Sequence, residues 1–303
     1  MAHVGILGAG NVGANTAFFV AERNIGDVLL HDIDEGVAIG KALDLVEAAP
    51  IRGYQYGIHP AASLDDLKDT RCLVVAAGSG RQPGMRREDL LVKNGELIDS
   101  LADELKGYQG VVIIATEPVD LMVYRFQQRS GLDWHRVLGL GGVLNSTRLR
   151  HIISRRLGLT AESISATVIG RHSDQMLPLL EYTRVNGVPA TVLMDEETQE
   201  EVIRETRVAG DLIVDMSQRA SSYYGPSAAA TDIIQSVIWN THRILPVSFV
   251  WEGHYGIRDV AMSLPTVLGQ AGVERVLEPQ ITQEQVRLLQ SSAEEMIALR
   301  AKG

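Results

Sequence analysis

A single cysteine, Cys72, stands in the 303 residues, so no intramolecular disulfide can form and a reducing, cytoplasmic setting is expected. No run of about 18 apolar residues occurs, so no helical membrane span is expected. The longest apolar stretches, such as VVIIA at 111–115, are strand-length. Met1 is followed by neither a basic nor an apolar signal segment. Basic residues are in deficit, 28 Lys and Arg against 38 Asp and Glu, for a net charge of −10. That balance disfavours nucleic-acid and membrane-surface partners and favours a soluble chain. Repeats, heptads and low-complexity segments are lacking. No His/Cys/Asp cluster has ligand spacing, so no metal is expected.

What is present is alternation. Short β-branched runs at 3–7, 27–32, 72–78, 110–116 and 136–142 are separated by helix-period segments such as 11–22 and 87–105. Strands that are apolar along their whole length are covered on both faces, and alternation with helices implies right-handed crossovers. Residues 1–142 therefore read as a Rossmann-type α/β domain with a doubly wound parallel sheet. Beyond it the pattern shifts to longer helices at 147–157, 195–220, 227–243 and 282–300. These are mixed with strand-like stretches at 166–170, 181–193 and 244–257, and Asn186-Gly187 gives a hairpin signal. Residues 143–303 read as an α+β catalytic domain.

LGAGNVG at 7–13 follows the first strand and opens a helix, with Gly8, Gly10 and Gly13 in the G-x-G-x-x-G spacing. Such glycines allow a tight turn and bring a pyrophosphate onto helix N–H groups. Asp32 ends the second strand, nineteen residues after Gly13. A carboxylate there accepts from ribose hydroxyls and repels a 2′-phosphate, which points to NAD over NADP. Asp34, two residues on, lies past the strand's end and is the weaker ribose candidate. In GSGRQPGMRREDLLVKN (78–94), Arg81 and Arg87 flank a Pro-Gly on a loop between strand and helix. Guanidinium groups so placed suit an anionic substrate, although a solvated basic loop would read the same way.

Taken together, GILGAGNVG, HDIDEGVAIGKALDL, AAGSGRQPGMRREDLL, TEPVDLMVY, GGVLNSTRLR, IGRHSDQMLPL and ILPVSFVWEGHYGI resemble the malate/lactate dehydrogenase family, in particular its lactate-dehydrogenase-like malate dehydrogenases. The resemblance runs through essentially the whole chain in order. It implies NAD as cofactor, a small dicarboxylate or 2-oxo acid as substrate, and a homodimer or homotetramer. By the same resemblance, Arg81 would bind the far carboxylate of oxaloacetate or malate, Arg87 would polarise the carbonyl, and Arg148 would clamp the α-carboxylate. His172 would exchange the hydroxyl proton. Asn11, Val12, Gly78 and Asn94 would join Gly8, Gly10, Gly13 and Asp32 in the cofactor site. The set makes physical sense, since alkoxide charge develops as hydride reaches the carbonyl, and cations stabilise it. The other histidines, 3, 31, 59, 135, 151, 242 and 254, have no such context.

Four positions leave the family pattern. Asn145 replaces the aspartate that pairs with the catalytic histidine, and Glu117 replaces an asparagine near the substrate hydroxyl. Arg171 stands before the histidine where small or acidic residues are usual, with Ser173 after it in place of glycine. Loss of the aspartate should disfavour the imidazolium needed for carbonyl reduction. An amide and a carboxylate have nevertheless exchanged between two motifs of one site, so its formal charge is kept. The expectation is that Asn145 orients His172 while Glu117 supplies the pairing charge. A malate-type dehydrogenase, a dehydrogenase for another 2-hydroxy acid, and a catalytically silent NAD-binding paralogue all remain compatible with these residues.

Overall fold

The computed structural model describes residues 3–81, 84–217 and 222–301, with the side chains of residues 87 and 88 also outside the described set. The first half runs β1 (Val4–Leu7), α1 (Asn11–Glu22), β2 (Val28–His31), α2 (Glu35–Glu47), α3 (Ala49–Arg52), β3 (Ile58–Pro60), β4 (Cys72–Val75), α4 (Leu91–Glu104), β5 (Val111–Ile114), α5 (Val119–Ser130) and β6 (Val137–Gly139). Next come α6 (Gly141–Leu157), β7 (Ile164–Ser165), β8 (Val168–Ile169), β9 (Leu177–Pro178), β10 (Arg184–Val185), β11 (Val188–Pro189) and α7 (Ala190–Leu193). The chain closes with α8 (Glu196–Ser217), α9 (Tyr224–Trp239), β12 (Arg243–Glu252), β13 (Arg258–Gly269), β14 (Gly272–Val276) and α10 (Gln283–Arg300).

Strands β1, β4 and β5 are buried at every residue, as their unbroken apolar sequences require of strands covered on both faces. Six parallel strands stand in the order β6-β5-β4-β1-β2-β3. The order reverses direction between β4 and β1, and ligands of such sheets sit in the crevice beyond the strand ends at that point. The later strands do not make a separate large sheet. β12 joins β6 antiparallel at Ser248 opposite Gly139 and carries β13 and β14, so nine strands of the described residues share one sheet.

Several boundaries differ from those read in the sequence. The segment at 136–142 is strand only to Gly139, and α6 begins at Gly141 rather than at 147. The Gly141-Gly142 pair looks like the end of a strand but serves close packing. A Cβ on Gly141 would lie 2.8 Å from the His172 Cβ, and one on Gly142 2.4 Å from the Pro246 carbonyl oxygen. Asn186 and Gly187, at φ +46° and +87°, make the expected hairpin turn between β10 and β11. Residues 190–193, expected to continue the strand, form the short helix α7 instead. Helix α9 starts at Tyr224 and stops at Trp239, where Asn240 takes a left-handed conformation.

The main core spans both faces of the large sheet, and a smaller cluster including Leu149, Ile153, Ile164, Val168 and Leu180 lies on the other side of α6. Helix α6 contributes Val143 and Leu144 to the first cluster and Leu149 and Ile153 to the second. It is therefore fixed by packing on two sides, and Asn145 and Arg148 are presented from a rigid element.

Candidate active site

The glycine turn is built as its spacing requires. Gly8 takes φ +97°, and a Cβ on Gly13 would lie 1.8 Å from the Gly8 carbonyl oxygen. Only glycine lets α1 start this close to β1. Gly10 caps α1 without a side-chain hydrogen bond, and a Cβ there would meet nothing within 4 Å among the described residues. The first N–H groups of α1 thus face open space, the setting in which a helix N-terminus holds a pyrophosphate. Asp32 Oδ2 accepts from the Ala9 amide at 2.7 Å and Oδ1 from the Asp34 amide at 3.1 Å. Its carboxylate is pinned beside the turn, where ribose hydroxyls can reach it. Asp34 is the N-cap of α2, accepting from the Gly36 and Val37 amides, and is thereby engaged elsewhere. These residues fit a dinucleotide.

A cleft of about 260 Å³ opens beyond the ends of β1, β4, β5 and β6. It gathers Gly10, Asn11 and Val12 with Gly78, Arg81, Glu117 and Arg148, segments spread over nearly half the chain. Ser222 and Thr116, which the sequence reading did not single out, also line it. Arg148 donates to the Ser222 hydroxyl at 3.3 Å, and the Thr116 hydroxyl donates to the Ala77 carbonyl at 2.6 Å. Cys72 lies buried in β4, where desolvation pushes its thiol up to about 12, so it takes no part in the chemistry.

His172 is buried, at 5% exposure. Its Nδ1 donates to Asn145 Oδ1 at 2.8 Å. An amide oxygen only accepts, so this bond fixes the proton on Nδ1 and turns Nε2 toward Glu117. Glu117 Oε1 stands 3.6 Å from Nε2. Asn145 and Glu117 thus meet the ring on opposite edges, and Glu117 also lines the cleft. The His172 amide donates to Asp120 Oδ2 at 2.5 Å. Asp120, at the start of α5, is a buried carboxyl that the sequence reading missed. Burial raises it above the ordinary carboxylate range, against the opposing pull of the Ser248 hydroxyl and the His172 amide.

Three of the charged and polar residues singled out in the sequence have partners within the protein. The Arg171 guanidinium is paired, with Nη1 3.1 Å from Glu295 Oε1 on α10. Asn94 was expected to line the cofactor site. Its Nδ2 donates to the Ser79 and Glu117 carbonyls at 3.1 and 2.6 Å, and its Oδ1 accepts from the Ser79 amide at 2.8 Å. Both donor hydrogens are used, so Asn94 braces the backbone of Glu117 and of the loop after Gly78. Arg81 reaches the cleft wall but is held by α8, donating to Asp211 Oδ1 at 2.6 Å and to the Gly210 carbonyl at 3.3 Å. The side chain of Arg87 lies outside the described residues.

Residues 2–139 match the family model described as the lactate/malate dehydrogenase NAD-binding domain, and residues 143–302 match its alpha/beta C-terminal domain. The chain belongs to the lactate/malate dehydrogenase family. It is 37% identical over 295 residues to the malate dehydrogenase of Shouchella clausii, covering 96% of this chain and 94% of that protein. The malate dehydrogenase of Methanosarcina barkeri is likewise 37% identical, over 97% of this chain and 96% of its own. Among solved structures, the Cryptosporidium parvum malate dehydrogenase superposes with a TM-score of 0.95 at 31% identity, covering 98% of this chain and 97% of that one. A lactate dehydrogenase of the same organism, complexed with lactic acid and nicotinamide adenine dinucleotide, gives 0.93 at 32% identity over 98% and 96%. The protein is thus an NAD-dependent dehydrogenase of this family. Its histidine pairs with an amide where the family motif has an aspartate.

Proposed function

We propose that the protein interconverts (S)-malate and oxaloacetate, with residues 1–142 holding NAD and residues 143–303 providing the substrate half. The observation that carries this reading is the convergence of Arg148, Arg81 and the Glu117–His172 pair on the cleft that begins at the glycine turn. NAD supplies the hydride acceptor when bound at that turn. Toward the substrate, Arg148 binds the α-carboxylate and Arg81 the far carboxylate, each as a guanidinium fork. His172 gives its Nε2 proton to the carbonyl oxygen during reduction and recovers it during oxidation. Arg87 assists at the developing alkoxide.

A second reading is favoured by one observation, the Asp211 carboxylate on Arg81. A cation already neutralised suits a 2-hydroxy acid whose far end is polar rather than anionic. NADH oxidation with oxaloacetate, pyruvate and longer 2-oxo acids separates the readings. Oxaloacetate should be reduced with the highest kcat/KM. Preference for a substrate without a second carboxylate would assign Arg81 to Asp211, and tight NADH binding with no turnover of any 2-oxo acid would mark a silent paralogue.

A homo-oligomer is supported by apolar side chains left exposed on α2, namely Val37, Leu43 and Val46, and on α8, namely Val208, Leu212 and Met216. Sedimentation should give a dimer or tetramer, and a monomer at micromolar concentration would contradict it. The cytoplasm is the compartment that best suits a chain with one buried thiol and no helix, among the described residues, long and apolar enough to cross a membrane.

A further inference from the structure

We infer that Glu295, on the C-terminal helix, is a positioning residue for His172 and acts through its ion pair with Arg171. The inference rests on the reading of His172 as the proton-exchanging group. Arg171 is only 4% exposed, and a buried guanidinium requires a partner. Glu295 Oε1 is one such partner at 3.1 Å, while its Oε2 accepts from Gln175 Nε2 at 2.5 Å. One carboxylate therefore grips the chain on both sides of His172, at the residue before it and three residues after. Between those points the Ser173 amide donates to the Arg171 carbonyl at 2.9 Å and the Met176 amide to the Ser173 carbonyl at 3.2 Å. The segment is folded into turns, tied by Asp120 of α5 on one side and by Glu295 of α10 on the other.

Helix α10 can serve as the anchor. A capping box at Thr282 and Gln285 fixes its start, and Leu289, Ala293 and Met296 are buried in the main core. Arg171 is also one of the positions at which this chain leaves the family pattern, so the clasp explains a departure that the hydride-transfer chemistry does not use.

The pair has an electrostatic consequence for the imidazole. Among the described residues, the groups facing His172 include Glu117 from the turn before α5, Asp120 from α5, Asn145 from α6, and Arg171 in its own segment with Glu295 behind it. The two carboxylates favour the imidazolium, the amide is neutral, and the guanidinium opposes protonation. Glu295 offsets that opposition.

The test is the pH dependence of kcat/KM for oxaloacetate reduction by the full chain and by E295Q, R171M and the R171M/E295Q double variant. Removing the carboxylate alone should move the histidine limb toward acid by about half a unit to one unit and lower kcat more than it raises KM. The double variant should return the limb to within about 0.2 units of the wild type, because neither charge remains. R171M alone should move it toward alkali, which keeps the test decisive if E295Q does not fold. An unmoved limb in E295Q, equal displacement in the single and double variants, or an acid shift in R171M would overturn the assignment. The same shifts should appear in the histidine ring resonances of the NADH complex without substrate. Absence of turnover would then count against the proposed activity and leave the clasp to be judged on the titration.

Discussion

Exchanging the two unusual residues back, Glu117→Asn and Asn145→Asp, singly and together, probes the chemistry of the site. Opposite unit charges 3.6 Å apart, the Glu117–His172 spacing, attract by roughly 4–5 kcal/mol at an effective dielectric of about 20. The Glu117 side chain is 25% exposed, so screening and the cost of desolvating the pair leave about 1–2 kcal/mol. Glu117→Asn alone should thus lower kcat/KM for oxaloacetate reduction by about 5- to 30-fold. It should also move the histidine limb toward acid, because the imidazolium loses its counter-charge. Asn145→Asp alone places a second carboxylate 2.8 Å from Nδ1 while Glu117 still faces Nε2. The imidazolium is then over-stabilised, its proton is given up less readily, and the extra negative charge should raise KM for a dianionic substrate. The double variant has one carboxylate again, on the edge away from the cleft, and should recover activity to within a few-fold of the wild type. Steady-state kinetics across pH decide the matter. Single-variant losses that simply add in the double variant would refute the reasoning.

Gly141→Ala should destabilise the fold by about 1–3 kcal/mol in chemical denaturation and reduce kcat, since the new methyl meets the His172 Cβ at 2.8 Å. Asp32→Ala should weaken NADH binding at least about tenfold and narrow the preference over NADPH, as measured by fluorescence titration. Asp120→Asn keeps an oxygen acceptor for the His172 amide and removes a carboxyl whose folded pKa is raised by burial. A group with a raised folded pKa helps most below its unfolded value, about 3.9, and that contribution is lost as pH rises through the folded value. The variant should therefore gain stability relative to wild type as pH rises through that window, read from denaturation midpoints at several pH values.

What the sequence made legible was local or came in ordered motifs. Gly8, Gly10, Gly13 and Asp32 work through spacing along one β-α-β unit, so their roles follow from the string itself. Asn186-Gly187 worked for the same reason. The Asn145, Glu117 and His172 contact joins three separate segments, and only the family's order of motifs brought them together in advance. The pairs Arg81–Asp211 and Arg171–Glu295 lie more than a hundred residues apart in sequence, and none of the four residues carries a local pattern that names its partner. The bracing role of Asn94 is not visible in the sequence because an amide on a helix looks the same whether it meets a ligand or backbone carbonyls. The Gly141-Gly142 pair was read as the end of a strand because glycine's role in close packing depends on what lies opposite, here His172 and Pro246. For β13 and β14, membership of the first sheet depends on the single bridge between Ser248 and Gly139, a tertiary contact without a sequence signature.

The central claim is that a histidine oriented by an amide and charged by a relocated carboxylate still drives reduction. Mixing the preformed NADH complex with oxaloacetate in a single turnover, and following the loss of NADH absorbance across pH, tests it most directly. Rapid loss that slows as pH rises, and that His172→Asn abolishes without weakening NADH binding, is the expected result. NADH that stays bound and unreacted at every pH, or reacts equally well without His172, would contradict the account.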